Sequence, residues 1–184
     1  MTHPLRRRII GVELGRGEEN GEVMASGYDM GEAVRLLEEA NRCQLEGEIE
    51  EAIQLYQASI DNFPTADAHT YLGWMYSFQG RIEEAIQECQ VAIELDPDFG
   101  NPYNDIGVYL MTQGKLQEAV PWLEKAKSAR RYEPRHFPYL NLGRIHLAKG
   151  RLSDALEEFQ QALKIQPEDP SIQQAIVEAQ ARMN

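Results

Sequence analysis

A six-residue block recurs four times along this chain: Gly47-Glu48-Ile49-Glu50-Glu51-Ala52, Gly80-Arg81-Ile82-Glu83-Glu84-Ala85, Gly114-Lys115-Leu116-Gln117-Glu118-Ala119 and Gly150-Arg151-Leu152-Ser153-Asp154-Ala155. Its alanines are spaced by 33, 34 and 36 residues. A period near 34 residues belongs to stacked helical hairpins, in which no unit can bury its apolar face alone and each must lean on the next. The spacing therefore settles an all-α fold class before any single residue is interpreted.

Each block opens the second helix of a hairpin. Ala52 and Tyr56, Ala85 and Cys89, Ala119 and Leu123, and Ala155 and Phe159 keep a four-residue spacing, which places each pair on one helix face. Upstream, Leu72-Gly73 with Tyr76, Ile106-Gly107 with Leu110, and Leu142-Gly143 with His146 mark first helices, and Pro64, Pro97 and Pro167 close three of the units. Gly73, Gly107 and Gly143, with the four block alanines, lack bulk where a neighbouring helix must approach. Gly47, Gly80, Gly114 and Gly150 suit the left-handed position that ends a helix.

Taken together these residues resemble the tetratricopeptide repeat family, whose unit reads Trp-x2-Leu-Gly-x2-Tyr, then Gly, Ala-x3-Phe, Ala and Pro. The resemblance implies a right-handed superhelical solenoid of four hairpins, at about 33–66, 66–99, 100–133 and 136–169, within a repeat region 31–168. Asp169-Pro170-Ser171 followed by Ile172, Ala175, Ile176 and Ala179 reads as a capping helix over 169–184, and glycine-rich, polar residues 1–30 read as a flexible arm. Met24 and Met30 are alternative starts. Two departures stand out. Ala40 and Cys43 replace the first unit's Gly and Tyr, so its first helix carries the least complete signature of the four. Arg131 replaces the third unit's proline, with two extra residues following, which predicts an irregular and weak third junction.

Composition narrows the function. The formal charge is −12, yet Lys115 to Arg151 holds nine basic and three acidic residues, so the remainder carries −18. An acidic chain with one basic stretch argues against a nucleic-acid surface. Arg6-Arg7-Arg8 and the short Ile9-Ile10 run do not make a signal peptide, and no stretch approaches the roughly 18 apolar residues of a membrane span. With Cys43 and Cys89 at core positions, a cytoplasmic setting is expected.

Catalytic chemistry finds no constellation. His3, His69, His136 and His146 are dispersed, without metal-ligand spacing, and Asp96-Pro97-Asp98 lacks the rest of a calcium loop. Glu83-Glu84 and Glu157-Glu158 read as the acidic starts of second helices. The expectation is a protein without enzymatic activity, cofactor or metal.

What remains is a binding surface. In the resembled family, ligands lie against the first helices in the concave groove. Carried onto this sequence, the groove positions include Leu37, Asn41, Gln44, Thr70, Trp74, Ser77, Phe78, Asn101, Asn104, Val108, Met111, Phe137, Leu140, Arg144 and Leu147. The candidate partner-binding residues are Asn41, Thr70, Trp74, Phe78, Asn104, Val108, Met111, Leu140 and Arg144. Trp74 leads them, because it points away from the Leu72 and Tyr76 packing face and tryptophan often dominates interfaces. Trp122 reads as a packing or convex-surface residue. The clamp by which some relatives hold the carboxylate tails of heat-shock chaperones is not reproduced: Leu37, Thr70, Asn104 and Leu140 stand where its lysines would be. The resemblance implies an adaptor or scaffold holding a partner's peptide or helix. The alternatives are a dedicated chaperone for secreted or membrane-bound clients, and a scaffold that self-assembles into homo-oligomers.

Overall fold

The computed structural model describes residues 29–183, and the arm expected over 1–30 lies almost wholly outside them. Nine helices are described: α1 (Met30–Glu46), α2 (Ile49–Asn62), α3 (Ala66–Phe78), α4 (Ile82–Leu95), α5 (Asn101–Thr112), α6 (Leu116–Ser128), α7 (Phe137–Ala148), α8 (Leu152–Ile165) and α9 (Pro170–Ala181). Helices α1/α2, α3/α4, α5/α6 and α7/α8 pair as hairpins, each hairpin packs on the next, and α9 lies against α8. None of the described helices is long and apolar enough to cross a membrane.

The turn inside every hairpin is built the same way. Gly47, Gly80, Gly114 and Gly150 all have positive φ, between 71° and 81°. The next amide then reaches back to the first helix: Glu48 to Cys43, Arg81 to Tyr76, Lys115 to Leu110 and Arg151 to His146, each at 2.9 Å. This is the left-handed helix ending in which a carbonyl that has lost its helical partner is satisfied by the chain turning back.

Between the paired helices the small residues permit close approach. A Cβ on Gly107 would sit 2.5 Å from Leu123 Cδ2, and one on Gly143 2.3 Å from Phe159 Cε1. The block alanines Ala52, Ala85, Ala119 and Ala155 are completely buried. One apolar cluster runs from Ala40 and Tyr56 through Met75 and Ile106 to Leu142 and Ile145. A second joins Leu140 and Phe159 to Ile172, Ala175 and Ala179 of α9, whose start Asp169 caps by accepting from the Ser171 amide at 2.8 Å.

The first helix, whose signature is the least complete, is present: α1 spans 17 residues, with Asp29 capping Glu32 N at 3.0 Å and Ala40 and Cys43 buried. Two other expectations are modified. Glu157-Glu158 do not open a helix but lie inside α8, where Glu158 accepts from Lys127 of α6 at 3.1 Å. The third junction is irregular, as expected, but it is tied down. Between α6 and α7 the chain folds back onto the preceding junction, where Arg131 N donates to Asp98 O at 2.9 Å and Gly100 N to Arg131 O at 2.8 Å. The Arg131 guanidinium lies 3.7 Å from the Phe99 ring centre and bonds both Asp96 and Asp67. Gly100 is needed there, since a Cβ would meet Tyr132 at 2.5 Å.

Candidate functional site

The first helices α3, α5 and α7 line a cleft of about 330 Å³. Trp74 comes from α3, Asn101, Asn104, Asp105 and Val108 from α5, Phe137, Asn141 and Arg144 from α7, and Tyr132 and Pro134 from the linker. The volume lies near the lower end of ligand clefts, about 300–1,000 Å³. The floor is polar and the walls are apolar. Arg144 Nη1 lies 3.5 Å from Asn141 Oδ1, Asn141 Nδ2 donates to Asn104 Oδ1 at 3.1 Å, and Asn104 Nδ2 approaches Asp105 Oδ1 at 3.5 Å. A chain of side chains thus leads from an exposed guanidinium down to a buried carboxyl.

Asp105 is 9% exposed, and burial pushes its carboxyl up to about 7, against a smaller lowering by the Asn104 hydrogen bond. Tyr132 is 4% exposed, and its hydroxyl has no hydrogen-bond partner among the described residues. Burial first, then the Asp105 charge, raises the Tyr132 hydroxyl above its ordinary value. Neither Asp105 nor Arg144 forms an ion pair among the described residues, whereas Arg131 nearby is shared between Asp67 and Asp96.

Of the candidate residues, Trp74, Asn104, Val108 and Arg144 meet at this cleft. Trp74 is 41% exposed and rests one edge on Tyr71, with ring centres 6.4 Å apart. Phe78, 66% exposed, and half-buried Met111 lie on α3 and α5 outside the lining. Asn41 belongs to the first unit, where its Oδ1 accepts from the Tyr56 hydroxyl at 2.7 Å.

Thr70 and Leu140 are corrected: both are buried, at 2% and 1% exposure. Thr70 Oγ1 donates back to Ala66 O at 2.7 Å, and Leu140 packs in the cluster with Phe159 and Ile172. On α3 and α7 this position faces the neighbouring helix, whereas its equivalent on α5, Asn104, lines the cleft; on α5 and α7 the residue one step later, Asp105 or Asn141, lines it as well. That step explains the residues the sequence reading missed, Asp105 and Asn141, each directly following a position that was named. An acid between Asn104 and the apolar Ile106-Gly107 was the available signal. Tyr132 and Pro134 could not be placed, because they lie in the insertion.

The other polar groups have local roles. His69 Nδ1 meets Glu88 Oε2 at 2.6 Å, and His136 Nε2 lies 3.4 Å from Asp169 Oδ2. Cys43 Sγ lies near Glu48 and Glu51, where burial, then Glu51, then Glu48 raise the thiol and so disfavour the thiolate that would ligate a metal. Trp122 is half-buried and packs on Tyr103, with Lys125 over its ring.

With this geometry in place, comparison with known proteins points one way. Two tetratricopeptide repeat models match, one over residues 98–168 and the other over 46–98. The chain is 28% identical over 152 residues to tetratricopeptide repeat protein 16 of Homo sapiens, which covers 75% of this chain and 17% of that protein. It thus spans less than a fifth of that relative's length. It is 27% identical over 108 residues to the type IV pilus assembly protein PilF of Pseudomonas aeruginosa, 59% of this chain and 43% of that one. The solved structure of Pseudomonas aeruginosa PilF superposes with a TM-score of 0.77 at 22% identity, covering 82% of this chain and 68% of that chain. The crystal structure of PilW, a widely conserved type IV pilus biogenesis factor, gives 0.74 at 16% identity, with coverages of 81% and 69%. At these identities the structural likeness is one of fold.

Proposed function

The chain belongs to the tetratricopeptide repeat family, whose repeats generally mediate protein–protein interaction and scaffolding rather than catalysis, and from that premise we propose that it holds an extended segment of a partner protein in its concave groove. The observation that carries the reading is the cleft across α3, α5 and α7, where Trp74, Val108 and Phe137 offer apolar area beside the amides of Asn101, Asn104 and Asn141. Carboxamides can donate to and accept from a peptide backbone, and flanking apolar walls take its side chains.

The test is selection of binding peptides from a display library against the wild-type protein and two variants. Trp74→Ala should weaken binding of the selected peptides by on the order of 2 kcal/mol, as expected of an aromatic anchor that a bound segment covers, with the melting temperature unchanged. Arg144→Glu should mainly slow association with acidic peptides and reduce its salt dependence. Unchanged affinity for both folded variants would move the site off the groove.

A second reading, an assembly factor for secreted or membrane-bound clients, is favoured by the 27% identity to a type IV pilus assembly protein. It differs in the client and not in the groove.

A further inference from the structure

We propose that the floor of the groove is an anchor pocket for a basic side chain, a lysine or arginine of the bound partner segment, whose charged head passes between Trp74, Val108 and Phe137 to reach Asp105 and the Tyr132 hydroxyl oxygen. The inference rests on the groove reading above and deepens it to a ligand chemistry.

Three observations carry it. First, Asp105 is buried on the floor of an open cleft with one side-chain hydrogen bond among the described residues, from Asn104 at a long 3.5 Å. A buried acid leaves most of its acceptor capacity unused in this arrangement, and a buried carboxylate is stable only when paired or well hydrogen-bonded. Second, Tyr132 lines the same cleft, and its buried hydroxyl has no hydrogen-bond partner among the described residues. Its oxygen is a second acceptor for an ammonium or guanidinium group, which brings only donors. Third, the approach is aromatic: Trp74 and Phe137 stand in the wall, and aromatic faces attract cations, most strongly where water is thin.

The charges around the pocket agree. Arg131 on the linker is held by Asp67 and Asp96 and forms no ion pair with Asp105. Arg144 stands on the exposed rim, bonded to Asn141, where solvent screens it. An acidic ligand group would meet the uncompensated carboxyl on the floor. A basic one completes the pocket.

The experiment uses the full chain and a bead library of capped octapeptides randomised among lysine, arginine, norleucine, leucine, glutamate and alanine. Norleucine is the control, having lysine's stem without its charge. Wild-type protein should enrich lysine or arginine over norleucine at one position by at least about tenfold. Asp105→Asn keeps the shape and removes the charge. It should erase that enrichment and leave the neighbouring apolar preference. Tyr132→Phe, which deletes only a hydroxyl, should reduce the enrichment without abolishing it, and it serves as the second variant if Asp105→Asn melts early.

No basic preference, or an equal one in Asp105→Asn and Tyr132→Phe, overturns the pocket. If Trp74→Ala still changes the selected pool in that case, the groove reading survives alone. A pool insensitive to Trp74→Ala, or a wild-type protein that selects no octapeptide, overturns both. Replacing Arg6, Arg7 and Arg8 by alanine should leave affinity for the selected peptide unchanged. A gain of about tenfold would make the chain's own basic run the occupant and overturn the assignment to a partner.

Discussion

At Gly107 and Gly143 the absence of a side chain decides whether two helices can touch. A Cβ at either would lie within 2.5 Å of a buried side chain of the partner helix. Gly107→Leu should therefore cost about 1–3 kcal/mol or more through overpacking, seen as a fall in melting temperature, whereas Ala148→Leu, at an exposed site on α7, should leave it unchanged. Asp105 makes the opposite case, a side chain the fold would be more stable without. Burial, only partly offset by the Asn104 hydrogen bond, raises its carboxyl to about 7, while in the unfolded chain it ionises near the ordinary value of about 3.9. Between those values the native state holds a proton that the unfolded state has lost, so stability falls as pH rises from about 4 to 7 and is level above that. The groups facing it are Tyr71 on α3, Cys89 on α4, Tyr109 on α5 and Tyr132 on the linker, all raised by burial and therefore neutral across this window, with Arg144 on the rim of the same cleft. Asp105→Asn should consequently stabilise the protein at pH 8 by on the order of a few kcal/mol and do little at pH 4. Equal effects at the two pH values in denaturant titrations would show that the acid is not desolvated.

The linker between α6 and α7 behaves as an element although it has no regular structure. Its backbone bonds to the Asp98–Gly100 segment, and its Arg131 side chain reaches two carboxylates and the Phe99 ring. Hydrogen exchange should show the Arg131 and Gly100 amides protected together, and Arg131→Met should expose both while costing about 1–2 kcal/mol, more than an isolated surface pair because the charges form a network. Loss of protection at only one of the two amides would mean that they are not a single unit. The missing proline predicted a weak junction from local sequence alone, a reading without access to the contact between Arg131 and Asp67, 64 residues apart in sequence. Hairpins, turn glycines and the cap were legible because their causes are local: a helical period, a positive φ, a capping carboxylate. The groove was half legible. Trp74, Val108 and Arg144 followed from the groove positions of the resembled family, but Leu140 lies one step of about 100° from Asn141, which does line the cleft, and only packing between neighbouring units decides which of two adjacent positions wins.

Across the whole molecule the apolar core is continuous from α1 to α7, and a second cluster carries it through α8 into α9. Such an array should unfold as a coupled unit with the end repeats fraying first. Ile172, the completely buried residue of α9 that packs with Leu140 and Phe159, is where the cap engages. Ile172→Ala should cost about 2–5 kcal/mol and raise amide exchange in α8 before α1 to α4 respond. Uniform acceleration everywhere would instead mark a single global opening. The linker also has a meaning for recognition. A perfect repeat array has translational symmetry, so a bound strand could shift by one unit and find the same surroundings. Here Tyr132 and Pro134 enter the groove at one place, at the junction that carries the two extra residues. The insertion that spoils the period thereby gives the groove a single reading frame, and a strand seated against it is fixed in phase as well as in place.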